Sequence, residues 1–399
     1  MLAETTQKET KLMMTNHIAL YRFCTAVRRK ASLALYLALC VLELGLSASA
    51  QEPTIITFDA PGANGYGTVP VGLSQLGTVA GYYYDANYVS HGFLRSPGGR
   101  FTTFDAPGAG TVANDDNGTF PSGINQLGTV AGYYNDANRV SHCFLLSPDG
   151  KFTTFDAPGA DTNPADALGS WLIGISALGA TSGSYIDANY MYHSFVRSSA
   201  GKFTDFDAPG AVNGTTEPDG PLNLEGAIVG WYLDSNSLFH GFVRDPHGTF
   251  ATFVGPGSCD TGTSTGCYGT GAYNINVFGT IVGAYMDNSG NFVAHSFLRS
   301  PDGTITTFEA PGAGTGLYQG TVWNQIAGLN DSGAVTASYV DANYVYHGFL
   351  RSPGGKFTTF DAPGASMTGT IPVSLNQWGA ITGYYYDSNY VVHGFLRTP

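Results

Sequence analysis

Seven histidines recur in one short motif, and an imidazole side chain can ligate a metal, transfer a proton or pair with a carboxylate. The motif is H-[GCS]-F, and successive copies lie 46 to 55 residues apart. Each histidine belongs to a different structural unit. One histidine per unit favours a structural role over a single catalytic centre. The histidines are His91, His142, His193, His240, His295, His347 and His393.

A carboxylate follows most of these histidines at a fixed distance. A three-residue hairpin loop that ends in a left-handed glycine, Gly99 in the first copy, places Ser96 opposite Arg100 and therefore His91 opposite Asp105. We predict a cross-strand hydrogen bond that fixes register rather than a catalytic or metal-binding pair. The same count pairs His142 with Asp156, His193 with Asp207, His295 with Glu309 and His347 with Asp361, and it leaves His240 facing Val254.

Other acidic residues lie outside the repeated pattern, in connections that differ from one copy to the next. Variable loops on a repeated scaffold are where recognition is usually found, so we predict that these acids bind a ligand. Their oxygens suit Ca²⁺, but no D-x-[DN]-x-[DN]-G spacing is present. We therefore expect solvated turns without a cofactor, and keep Ca²⁺ as the alternative. The candidates are Asp115, Asp116, Asp161, Asp166, Glu217 and Asp219.

Tyrosines flank the Asp-Ala-Asn turns of several copies. A tyrosine ring can stack against a sugar, although tyrosines at alternating positions of a strand also fill the space between neighbouring sheets. Both interpretations stay open for Tyr84, Tyr88, Tyr190, Tyr344, Tyr386 and Tyr390.

Enzyme signatures are missing from the sequence. There is no H-E-x-x-H, no phosphate-binding glycine loop and no cysteine pair spaced for zinc. Carboxylates from separate repeats leave no local motif, however, so a glycoside hydrolase or polysaccharide lyase with acids near a central channel is the alternative to a non-enzymatic protein.

Four short strands in each copy position these residues. In the first copy we predict strand a at 68–73, strand b at 78–84, strand c at 89–96 and strand d at 100–105, with Asp and Asn in the b–c turn. Apolar residues on both faces of these strands indicate sheets that are covered on both sides. Four antiparallel strands in about 50 residues are typical of a propeller blade.

The two ends of the repeated region complement each other. Residues 57–62 have the sequence of a strand d without a preceding H-G-F, and residues 393–397 form a strand c without a following strand d. If the two pair, Asp59 lies opposite His393 and no edge strand is exposed. The sequence therefore predicts an all-β fold, a seven-bladed β-propeller of four-stranded antiparallel blades, closed by the N-terminal strand on the C-terminal blade.

This organisation resembles the ring closure of WD-repeat proteins, and the units resemble the bacterial extracellular repeats of the HAF family, named for a His-Ala-Phe signature. Here the middle residue is Gly, Cys or Ser. The resemblance covers 51–399 and implies a secreted repeat protein. It implies no particular chemistry.

The first 50 residues differ in kind from the rest. Basic residues precede an apolar run at 31–46, and Ser-Ala-Ser-Ala follows, which is the order of a secretory signal peptide. We expect a signal peptide at 1–50 and one domain at 51–399, without a membrane span in the mature chain; a membrane anchor is the alternative. Export to the periplasm or beyond favours a disulfide between Cys259 and Cys267.

The whole chain has a formal charge of −13, and residues 51–399 keep 11 basic against 27 acidic groups, which gives −16. An acidic surface repels phosphate, so nucleic acid is excluded as a partner. We therefore predict a monomeric, secreted, non-enzymatic repeat protein whose variable acidic loops bind a glycan or an extracellular protein.

Overall fold

Strands make up the regular structure of this chain. The computed structural model describes residues 53–64, 66–113, 117–212, 214–258, 269–321 and 328–399. Over these ranges the fold is all-β, and no helix there is long and apolar enough to cross a membrane. The predicted signal peptide and the predicted Cys259–Cys267 disulfide lie outside the described residues.

Repeats 1 to 6 contribute strands a to d in chain order, repeat 7 contributes strands a to c, and an N-terminal strand, β1 (Thr54–Phe58), precedes them. Repeat 1 consists of β2 (Thr68–Leu73), β3 (Val79–Tyr84), β4 (Ser90–Arg95) and β5 (Phe101–Phe104). Repeat 2 consists of β6 (Gly118–Ile124), β7 (Val130–Asn135), β8 (Ser141–Leu146) and β9 (Phe152–Phe155). Repeat 3 consists of β10 (Gly169–Ile175), β11 (Thr181–Ile186), β12 (Tyr192–Arg197) and β13 (Phe203–Phe206).

The remaining repeats follow the same order. Repeat 4 consists of β14 (Glu217–Asp219), β15 (Ile228–Leu233), β16 (Phe239–Arg244) and β17 (Phe250–Phe253). Repeat 5 consists of β18 (Thr270–Ile275), β19 (Ile281–Met286), β20 (Ala294–Arg299) and β21 (Ile305–Phe308). Repeat 6 consists of β22 (Gly320–Thr321) and β23 (Gly328–Leu329), which both pair with β24 (Val335–Val340), then β25 (Tyr346–Arg351) and β26 (Phe357–Phe360). Repeat 7 consists of β27 (Thr370–Leu375), β28 (Ile381–Tyr386) and β29 (Val392–Thr398).

Consecutive strands of a repeat pair antiparallel, and the c–d hairpins have the predicted register. In repeat 1, Arg95 pairs with Phe101. The Ser96 amide donates to the Arg100 carbonyl, and Gly99 closes the loop at a φ of 84°. A left-handed glycine after a type I turn matches the twist of the flanking strands. The sequence prediction of these hairpins is confirmed.

Side chains from neighbouring repeats form the core. The phenylalanine of each H-[GCS]-F motif is fully buried, and burying a side chain of this size contributes roughly 1.5–3 kcal/mol. Six repeats also place an arginine guanidinium over the strand-d phenylalanine of the preceding repeat, as Arg95 does 4.8 Å above the Phe58 ring. Packing on both faces explains why both faces of these strands are apolar.

Close backbone contacts join each strand c to the next strand a. Ser90 bridges to Gly118 in parallel fashion, and a Cβ on Gly118 would lie 2.1 Å from the Ser90 carbonyl oxygen. The φ of Gly118 is 111°, which only glycine adopts readily. The glycine is therefore required by both the backbone conformation and the close approach.

The N-terminal strand pairs with the C-terminal strand along its whole length, from Thr54 opposite Thr398 to Phe58 opposite Gly394. Strand β1 therefore occupies the strand-d position of repeat 7. The side-chain amide of Asn376 in repeat 7 donates to the carbonyl of Ser74 in repeat 1, at 3.5 Å. The same bond links Asn276 to Asn330, two repeats that follow each other in the chain.

Candidate functional site

Each motif histidine lies between a tyrosine ring and at least one carboxylate. His91 Nδ1 is 2.8 Å from Asp105 Oδ1, its Nε2 is 3.7 Å from Asp85 Oδ2 in the b–c turn, and its ring centre is 5.3 Å from that of Tyr83. The structure brings four further pairs together through Nδ1: His142 with Asp156 at 2.9 Å, His295 with Glu309 at 2.6 Å, His347 with Asp361 at 2.9 Å and His393 with Asp59 at 2.9 Å.

Repeats 3 and 4 depart from this arrangement. His193 and Asp207 are both described, and no hydrogen bond or ion pair joins them; the predicted pair is corrected to His193 with Asp187, whose Oδ2 is 3.5 Å from Nε2. His240 has its carboxylate contact with Asp234 at 3.1 Å. The b–c turn thus supplies a carboxylate in every repeat. The sequence analysis counted residues across the c–d hairpin only, so it did not predict these contacts.

The electrostatics of these histidines fit a structural role. The hydrogen bond to a strand-d carboxylate is the main cause that raises the pKa of His91, His142 and His295. The seven motifs stay apart, and no group of three or more His, Cys, Asp or Glu side chains suited to a metal occurs in the described ranges.

The b–c turns and the d–a connections form what we call the variable rim. In the b–c turn of repeat 1, Asp85 Oδ1 accepts the amides of Asn87 and Val89, which fixes a tight turn. The residue between those two, Tyr88, has a φ of 61° and is 48% exposed. The equivalent residues Tyr190, Tyr344 and Tyr390 also have positive φ and exposed rings.

Contacts between turns and connections enlarge the aromatic surface of this rim. Tyr66 in the connection before repeat 1 packs against Tyr88, with ring centres 4.9 Å apart, and against Tyr84 at 5.5 Å. In repeat 3, the Tyr190 hydroxyl donates to Asp166 at 2.8 Å. That hydrogen bond raises the pKa of Tyr190, and the charge of Asp161 adds to the effect.

The predicted binding acids therefore lie in different parts of the structure. Asp161 and Asp166 lie on the variable rim, as predicted, and Asp115 and Asp116 lie outside the described residues. The placement of Glu217 and Asp219 in a loop was wrong, since both belong to β14, a strand a whose residues line a central cavity.

This cavity, which we call the central channel, has a volume of about 510 Å³. Its described lining comes from the strands a of repeats 1 to 5 and 7, together with Tyr82 and Tyr384 from strands b. The walls are mostly apolar, with Trp171 and Tyr273 among them. Sequence reasoning missed these aromatic lining residues because an innermost strand has no distinguishing local motif.

A β-bulge recurs in the strands a. In five of them the register shifts by one residue, as between Pro70 and Gly72 in repeat 1. The bulged residues line the channel, and bulges of this kind redirect a side chain next to functional sites. They are Val71, Ser122, Ile173, Tyr273 and Val373.

Asp219 takes the corresponding sequence position in repeat 4. It follows Pro218 and precedes Gly220, as Val71 follows Pro70 and precedes Gly72. Burial raises the pKa of Glu217, and burial together with the charge of Glu217 raises the pKa of Asp219 well above its usual range. The Pro-x-Gly pattern shared with repeat 1 was the signal that could have placed both acids on strand a.

Comparisons with known proteins support the fold class. No family model matches the chain, and no curated protein matches it. Among solved structures, a streptogramin B lyase is similar with a TM-score of 0.52 and 13% identity, over 86% of this chain and 97% of that one. The β-propeller domain of the trilobed protease from Pyrococcus furiosus is similar with a TM-score of 0.50 and 8% identity, over 85% of this chain and 95% of that one.

A lectin from Burkholderia pseudomallei also matches, with a TM-score of 0.49 and 9% identity, over 81% of this chain and 93% of the lectin. At such identities the first two likenesses define an all-β, propeller-like fold and say nothing about a ligand.

Proposed function

We propose that this chain is a secreted, non-enzymatic, closed seven-bladed β-propeller that binds a glycan through the aromatic residues of its variable rim. Closure is supported by the pairing of β1 with β29 and by the link from Asn376 to Ser74. Secretion rests on the signal-like sequence of residues 1–50.

The observation that carries the binding role is the left-handed, exposed tyrosine at the same turn position of four repeats: Tyr88, Tyr190, Tyr344 and Tyr390. A non-glycine residue in this conformation costs roughly 1–2 kcal/mol. A bulky aromatic residue is unusual there, whereas glycine or asparagine would fit with less strain. Strained backbone conformations of this kind cluster at functional sites.

Burial does not explain why these positions carry large rings. Tyr190 is 62% exposed and Tyr390 is 74% exposed, so neither gains much from burial in the folded protein. A rigid ring with a polar hydroxyl suits the face of a sugar, where C–H groups pack on the ring and hydroxyls accept or donate hydrogen bonds. Asp166 beside Tyr190 adds an acceptor for such hydroxyls.

The geometry of the carboxylates favours binding over catalysis. Glycosidases place two carboxyl groups on opposite sides of the scissile bond, at roughly 5–9.5 Å from each other. In the described part of the channel wall the two carboxylates, Glu217 and Asp219, come from one short strand. Neighbours on one strand lie on one side of a bound chain.

The test is a glycan array and a polysaccharide-cleavage screen on the secreted protein, with and without Ca²⁺. We expect binding without product release. Replacing all four tyrosines by Asn should weaken glycan binding by at least about tenfold, since each stacked ring contributes about 0.5–1.5 kcal/mol. Because Asn tolerates positive φ, the same variant should melt at an equal or higher temperature.

Trp378 provides the matched control. It is 69% exposed on an a–b turn, and Trp378→Asn should leave glycan binding unchanged. Release of product would overturn the non-enzymatic role. Unchanged glycan affinity in the fourfold tyrosine variant would overturn the assignment to the aromatic rim.

A further inference from the structure

The central channel has the size and composition of a small-molecule site that is separate from the rim tyrosines of the proposed function. Its volume of about 510 Å³ lies within the range of ligand pockets, roughly 300–1,000 Å³. Such pockets combine apolar and aromatic walls with a few polar groups that set the orientation of the ligand.

Aromatic rings line several sides of the channel. Trp171 comes from repeat 3, Tyr273 from repeat 5, Tyr82 from repeat 1 and Tyr384 from repeat 7. Burial raises the pKa of Tyr384 to about 12, so its hydroxyl stays neutral under physiological conditions. The walls can therefore offer ring faces without adding charge.

Two carboxyl groups lie in the lining, without a basic side chain among the described lining residues. Glu217 and Asp219 are the carboxylates of the described lining, and no lysine, arginine or histidine occurs among the described lining residues. Asp219 is 9% exposed, and its carboxyl has the Gly220 backbone amide as a hydrogen-bond partner but no basic side chain of the described residues beside it. Glu217 is half-buried and Asp219 is buried, so their ionised forms are unfavourable in the empty protein, and a cation beside them would favour ionisation of both carboxyls.

Asp219 differs in type from the residues at the same sequence position of the other repeats. Where repeat 4 has Asp219, the bulge positions of repeats 1, 2, 3, 5 and 7 have Val, Ser, Ile, Tyr and Val. An apolar residue at this position is thus compatible with the fold. The carboxyl costs folding energy that an apolar side chain would avoid, so folding alone does not explain it.

We propose that the central channel binds an organic ammonium ion, with its cationic group beside Glu217 and Asp219 and its apolar part against the tryptophan and tyrosine rings. Carboxylates and ring faces both attract such a cation, and the attraction increases when water is excluded. A divalent metal fits less well, because Ca²⁺ takes six to eight oxygen ligands and the described residues contain no group of three or more His, Cys, Asp or Glu side chains suited to a metal.

The experiment compares two probes of nearly equal shape. Calorimetry on the full chain would measure binding of phenethylammonium and of 2-phenylethanol, its neutral counterpart. We expect the ammonium to bind at least about tenfold more tightly than the alcohol. This comparison needs no variant, so it does not depend on how a substitution affects folding.

Two double variants with the same change of charge assign the site. Glu217→Gln with Asp219→Asn should abolish the preference for the ammonium, whereas Asp161→Asn with Asp166→Asn on the rim should keep it. Equal binding of both probes by the unmodified protein, or a preference that persists in the channel variant, would overturn the proposal. The fourfold tyrosine variant should keep ammonium binding, so failure of the glycan hypothesis would be seen separately.

Discussion

At the scale of single residues, the recurring histidines help to fix strand register, and the strength of their interactions with carboxylates depends on protonation of the imidazole. A histidine whose folded pKa is raised stabilises the protein fully below its unfolded pKa, near 6.5, and this contribution is lost as the pH rises through the folded pKa. For His91, His142 and His295 the folded pKa is raised. Their contribution should therefore decline from about pH 6.5 upward.

We predict that His295→Gln flattens this decline, by a few tenths to about 1 kcal/mol, the size expected of a partly exposed ion pair. Urea unfolding at a series of pH values from 5.5 to 9 measures it. His240→Gln is the control, because His240 faces Val254 and not a strand-d carboxylate. Equal flattening in both variants would show that the strand-d carboxylate is not the cause.

Residues differed in how far the sequence determined their positions. The pairing of His91 with Asp105 followed from the turn at Gly99, because hairpin geometry fixes register locally. The positions of Glu217 and Asp219 were not recognised, since strand a begins after a connection of variable length and only the Pro-x-Gly pattern marks it. Nothing in the local pattern showed that their side chains would line a cavity.

At the scale of elements, β1 is an integral strand d despite its position at the end of the described chain. The Phe58 ring lies 6.4 Å from Phe93 and under Arg95 at 4.8 Å. An internal equivalent, Phe206, lies 6.3 Å from Phe242 and under Arg244 at 5.0 Å. The two rings are buried to the same degree.

We predict that Phe58→Ala and Phe206→Ala destabilise the protein by similar amounts, about 3–5 kcal/mol each, as expected for a buried phenylalanine. Denaturant unfolding of the two variants gives the comparison directly. A terminal strand that frays in solution would make Phe58→Ala much the milder change, and that result would contradict the closing role of β1.

The strand boundaries of repeat 1 were predictable because turn chemistry marks them, whereas the bulges were not. Strand a of repeat 1 spans Thr68–Leu73 as expected, yet its shift between Pro70 and Gly72 has no signal beyond the two residues themselves. A bulge depends on how the strand curves around the channel, and that curvature arises from packing among repeats.

At the scale of the whole molecule, asparagines of the a–b turns link one repeat to the next. Their side-chain amides donate to a backbone carbonyl of the following repeat at five junctions, and the described junctions that start at Ser74 and Ser176 lack this bond because a serine side chain is too short. The serines keep the other role of this position, as Ser74 Oγ accepts the amide of Thr78.

Serine substitution therefore removes the link between repeats and leaves the turn intact. Asn276 joins repeats that are consecutive in the chain, whereas Asn376 joins the last repeat to the first. If the ring is closed in solution, Asn376→Ser and Asn276→Ser should each lower the free energy of unfolding by about 1 kcal/mol, the net value of one hydrogen bond. In an open array the bond from Asn376 would not form, so Asn376→Ser would leave stability unchanged while Asn276→Ser kept its cost. Because both variants make the same chemical change in the same turn, equilibrium unfolding of the pair tests closure directly.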